Sequence, residues 1–88
     1  MSMKIEFDSL LEKLKSQRDE LMLKLHLASM EAKEEIEEAD KHWEDLKIKA
    51  AEIADESKET SEEYIAKAKI VGEELKEAYS RINKRLTD

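Results

Sequence analysis

An all-α fold is what this sequence predicts: an antiparallel hairpin of two unequal long helices that joins a second copy in a helical bundle or coiled-coil-like dimer. Three observations carry that prediction. Residues that break regular structure are nearly missing, with no proline and one glycine in 88 residues, while good helix formers dominate. Apolar residues recur at steps of three and four, and the alternation of a strand is sustained only in one short patch. Within Leu21–Met30, LMLKLHLASM, the apolar residues spread over more than the single stripe one neighbouring helix covers.

The first helix is expected from about residue 9 to 56. Asp8 or Ser9 can cap it, and Glu12 completes a capping box from Ser9. Its stripe runs Phe7, Leu11, Leu14, Arg18, Leu21, Leu25, Ala28, Ala32, Ile36, Ala39, Trp43, Leu46, Ala50, Ile53. The two successive steps of four at Ala28, Ala32 and Ile36 act like a stutter and relax any strict left-handed supercoil.

The stripe falters at residues 55–62, DESKETSE, where a turn is expected over about 57–60, the alternative being that these are polar positions of one long unbroken helix, since no glycine or proline stands there. Thr60 followed by Glu63 fits a capping box, and acids in the next turn suit the positive end of a helix dipole. The second helix then runs over about 61–86, with the stripe Tyr64, Ala68, Val71, Leu75, Ala78, Ile82, Leu86.

If the second helix folds back through a short turn, residues whose numbers sum to about 118 face one another. That register pairs Ile36 with Ile82, Trp43 with Leu75, Leu46 with Val71 and Ile53 with Tyr64, and these eight residues are the expected hairpin core. It also lays Lys76, Arg81, Lys84 and Arg85 beside the acidic tract from Glu31 to Asp45, which disfavours slipped pairings. Gly72 then falls near Leu46 and one turn from Trp43, a small residue admitting a close approach.

The shorter second helix leaves Phe7 to Met30 without an intrachain neighbour. A chain of this length buries only about 60% of the surface its unfolded form exposes, so its own core is marginal. Leu14, Leu21, Leu23, Leu25, Leu27 and Met30 are therefore expected to form a self-association face, giving a homodimer or, by pairing of dimers, a tetramer.

Composition excludes several classes of function. The net charge is −7, which argues against nucleic-acid backbones and anionic membrane surfaces as partners. There is no cysteine, hence no disulfide framework or thiolate metal site, and a reducing cytoplasm is the expected compartment. No apolar run approaches the roughly 20 residues of a membrane span, and the acidic N-terminus lacks the pattern of a signal peptide.

No chemistry-bearing motif emerges. Glu38, His42 and Asp45 share a helix face, yet the di-iron bundle motif needs Glu three residues before His, where Ala39 stands. The acidic tract has no glycine-bearing calcium loop. RINKR at residues 81–85 suits the negative end of a helix dipole, and Trp43, Tyr64 and Tyr79 are too dispersed to stack bases. No nucleophile has an elbow or a base placed by spacing.

RDELMLKLHLASMEAKEEIEEADKHWEDLKIKA over 18–50 and VGEELKEAYSRI over 71–82 resemble small bacterial helical proteins of unassigned function that carry similar KLHLA, EAKEE and W-x-x-LK-x-K segments. The resemblance implies a bacterial, cytoplasmic protein and brings no catalytic residue with it. The expected role is a non-enzymatic, self-associating interaction or scaffold protein without a cofactor. Alternatives are an amphipathic membrane-surface or stress-protective helix, and a metal-binding bundle using Glu38, His42 and Asp45.

Overall fold

The structure, a computed structural model, describes residues 3–55, 57 and 59–87. The described residues form three α-helices, α1 (Met3–Leu23), α2 (Met30–Ala54) and α3 (Glu62–Thr87), with one 3₁₀ turn, Leu25–Leu27, between α1 and α2. Among the described residues there is no strand, so the all-α expectation holds at the level of class. The bundle measures 43 × 22 × 18 Å.

The two-helix layout does not hold. The expected helix over 9–56 is interrupted at Lys24–Ser29, and α1 turns back to pack on α3 rather than extending past it. The physical reason lies in the side chains of α1. Phe7, Leu10, Leu14 and Leu21 are all buried, and each fully buried residue of this kind contributes roughly 1.5–3 kcal/mol relative to exposure. Together they outweigh the helical bonds given up over six residues. Because α1 already starts at Met3, Asp8 and Ser9 sit inside it rather than at its cap.

α3 is the central helix, packed against both α1 and α2. Its direction is parallel to α1, since Glu6 meets Lys69 and Lys24 meets Asn83. Against α2 it is antiparallel: Arg85 reaches Glu31 and Glu35, and Tyr64 reaches Glu52. Those α2–α3 pairs sum to between 116 and 120, the register that the apolar and charge patterns give. Ile36, Trp43, Leu46, Ile53, Leu75 and Ile82 are buried in one cluster, with Tyr64 and Val71 packed at its edge.

Serving two neighbours widens the buried arc of α3. Buried Ile65, Gly72 and Tyr79 add to the expected stripe, on the side of α3 where Gly72 meets Leu10 and Leu14 of α1. Gly72 illustrates the shift, because a Cβ there would lie 2.8 Å from Leu10 Cδ2 and 3.6 Å from Leu14 Cδ1. It is a close-packing glycine as expected, but its neighbours belong to α1, not to Leu46 and Trp43. Lys76 likewise faces the groove between α1 and α3 rather than the acidic tract.

The second connection covers residues 55–61, of which Glu56 and Lys58 lie outside the described residues. Ser61, not Thr60, caps α3, its Oγ accepting from the Tyr64 amide at 3.1 Å. Thr60 instead donates to the Glu52 carbonyl at 3.4 Å. Asp55 accepts from both the amide and the hydroxyl of Ser57, which hold its carboxyl below the ordinary aspartate range.

Candidate self-association surface at the α1–α2 end

One end of the bundle gathers the C-terminus of α1, the 3₁₀ turn, the N-terminus of α2 and the C-terminus of α3. The turn is held by local bonds: Leu27 N donates to Lys24 O at 2.9 Å and Ala28 N to Leu25 O at 3.0 Å. Ala28 (φ −78°, ψ 138°) and Ser29 (φ −67°, ψ 168°) are extended. Ser29 then caps α2, accepting from the Ala32 amide at 3.2 Å, and the chain needs no glycine because no φ among the described residues is positive.

The apolar residues of Leu21–Met30 divide in two. Leu21 is buried, and Met22, Leu25 and Ala28 pack against the core from its edge. Leu23, Leu27 and Met30 stay 78, 61 and 80% exposed. Of the six residues expected to form a self-association face, Leu14 and Leu21 are thus consumed by the chain's own core, Leu25 is half-buried, and three remain open.

The rim of this end is charged in both senses. Lys24 Nζ bonds Asn83 Oδ1 at 2.9 Å and Glu20 Oε1 at 3.1 Å, tying the turn to α3. Arg85 lies 2.6 Å from Glu35 and 3.6 Å from Glu31. Exposed pairs of this kind are worth only about 0.2–1 kcal/mol each, so they orient the surface more than they stabilise it.

Deeper in the bundle, Arg18 joins α1 to α2 through Asp40, with Nε to Oδ1 at 2.5 Å and Nη2 to Oδ2 at 3.3 Å. This forked hydrogen bond pushes the guanidinium above its usual range. Arg18 occupies a seam position in the sequence, but nothing in the two-helix register points to Asp40 as its partner. Beside the pair, Tyr79 is 2% exposed and its hydroxyl has no hydrogen-bond partner in the protein. Burial, reinforced by the Asp40 charge, pushes that hydroxyl up to about 12.

An open groove runs between α1 and α3 with Leu10 along it and Lys13, Lys69, Lys76, Glu73 and Glu77 at its sides. Its mixed charges select no ligand class. His26 and His42 are exposed, and His42 shares a shallow depression with Glu35, Glu38 and Arg81, which places a guanidinium among the acids. Among the described residues no three His, Asp or Glu side chains converge as a metal site, and no helix is long and apolar enough to cross a membrane.

Neither family models, nor curated proteins, nor solved structures give a match to this chain. The functional reading therefore rests on the residues alone.

Proposed function

We propose that the protein is a non-enzymatic helical interaction module that associates with a second copy of itself through the α1–α2 end. The observation that carries this reading is the exposure of Leu23, Leu27 and Met30 within eight residues of a chain whose other α1 leucines are in the core or at its edge. Scattered apolar residues such as Ile48 and Ile70 are ordinary on a surface. Three on one short turn, each forgoing roughly 1.5–3 kcal/mol in water, favour closure by another molecule.

A twofold pairing of identical ends suits the rim, because an isologous contact sets the acids of one copy against the bases of the other. The membrane-surface alternative has less support: the segment is already folded in the bundle and its rim carries Glu31 and Glu35 beside its bases.

Sedimentation over a concentration series tests the reading. The mass is expected to rise from 10.3 kDa toward twice that value. Changing Leu23, Leu27 and Met30 together to lysine should weaken the association by about tenfold or more, since each 1.4 kcal/mol lost is one decade. A single-chain mass held into the millimolar range would contradict it.

A further inference from the structure

The interruption between α1 and α2 is unusual in what it is made of. Lys24-Leu25-His26-Leu27-Ala28-Ser29 contains no glycine or proline, and no residue in it has a positive φ. Leu25–Leu27 is already one turn of 3₁₀ helix and Lys24, at φ −95° and ψ 4°, stands next to helical geometry. Only Ala28 and Ser29 are extended. Rotating essentially two ψ angles would convert residues 3–54 into one straight helix, and nothing in the local sequence resists it.

The apolar pattern also ignores the break. Leu14, Leu21, Leu25, Ala28, Ala32, Ile36 and Ala39 form an unbroken stripe on a straight helix. What bends the chain is therefore not the turn but the docking of α1 on α3, through Phe7, Leu10, Leu14 and Leu21 and the Glu6–Lys69 bridge, with the Arg18–Asp40 pair tying α1 to α2. Every one of those contacts can be made equally well by α1 of a second molecule.

We propose that two copies meeting end to end exchange their α1 helices: Lys24–Ser29 becomes helical in both, and each α1 docks on the α2 and α3 of its partner. The inference rests on the self-association reading, which brings two α1–α2 turns face to face. The geometry of that encounter matches the product. Arg18 and Asp40 sum to 58, so the α1–α2 register centres on Ser29, and a twofold axis through that residue regenerates both bundles on opposite sides of a straightened hinge. Exchange of an identical element in this way adds no new interface chemistry and needs only a hinge that can open.

Two substitutions push the hinge in opposite directions. Met30→Pro places proline at the first position of α2, where its missing N–H is harmless and the extended Ser29 before it is compatible. In a straight helix the same proline would be interior and would disfavour the exchanged form by roughly a hundredfold or more per hinge. Ser29→Ala removes the cap that the bent form uses and should favour the exchanged form by roughly two- to thirtyfold per hinge.

The test is a spin-label distance within one chain. Cysteines are placed at the exposed Lys15 and Glu44, in a protein that otherwise has none, and the labelled chain is diluted into excess unlabelled protein before the dimer is isolated. In the bent chain these residues sit on facing helices, under about 20 Å apart given packed-helix spacing. In the straight helix they are about 44 Å apart at 1.5 Å per residue. The isolated dimer is expected to show the long distance, Ser29→Ala to increase its share, and Met30→Pro to abolish it. A dimer with only the short distance overturns the exchange and leaves end-to-end association standing. Absence of any dimer for wild type and Ser29→Ala overturns both.

Discussion

Replacing Phe7 with alanine is expected to destabilise the dilute, single-chain protein by about 3–5 kcal/mol, the cost of emptying a fully packed aromatic site. Phe7 is completely buried, yet it lies on the segment that a two-helix hairpin would leave without a neighbour. The magnitude is large against the roughly 5–15 kcal/mol total of a small domain. Urea unfolding at low micromolar protein measures it, with the midpoint falling at nearly constant slope. An unchanged midpoint would mean that α1 does not join the core of its own chain.

Alkaline pH should expose Tyr79. The bundle favours the neutral phenol, because the hydroxyl is buried and the Asp40 charge lies nearby, and ionisation in the folded chain waits until about pH 12. In the unfolded chain it occurs near pH 10. Stability from this group is therefore complete below about pH 10 and is lost as pH rises toward about 12, because the unfolded state sheds its proton first; the loss amounts to roughly 2–3 kcal/mol.

Tyr79→Phe should remove that component. At neutral pH the variant should be more stable by about 1 kcal/mol, since it deletes a buried hydroxyl that has no protein partner. Subtracting the two urea midpoints from about pH 8 to about pH 12 isolates the effect from the lysines, which ionise in both proteins. A gap between the two that is the same at every pH would refute the assignment.

Much of this fold is written locally. Helical class follows from composition and periodicity, and the α2–α3 register follows twice, from apolar spacing and from Arg85 reaching Glu31 and Glu35. Ile36, Trp43, Leu46, Ile53, Leu75 and Ile82 are core residues on both counts.

The break at Lys24–Ser29 is not written locally. Its residues suit a helix, the stripe passes straight through, and Ser29 is a weak cue without an acid three residues on; Ala32 occupies that place. Tertiary packing of α1 overrides propensity there. One signal does anticipate it: α3 is apolar or small at Ile65, Gly72 and Tyr79 besides its hairpin stripe, an arc too wide for one partner. A helix with two buried sides needs two neighbours, and α1 is the one available within the chain.

The candidate site was half legible for the same reason. Leu21–Met30 is over-supplied with apolar residues whichever way α1 runs, so a surface there follows from the sequence. Which residues remain open depends on the bend, which takes Leu14 and Leu21 inward and leaves Leu23, Leu27 and Met30 outside.

The closest view of the central claim, that α1 folds back onto α3 of the same chain, is the contact between Leu10 and Gly72, where a Leu10 methyl carbon lies 2.8 Å from the site of an added Cβ. Nuclear Overhauser spectra of dilute, monomeric protein should show strong cross-peaks from the Gly72 α-protons to the methyls of Leu10 and Leu14. Cross-peaks from Gly72 to Leu46 in their place, with helical shifts continuing unbroken through Lys24–Ser29, would contradict it.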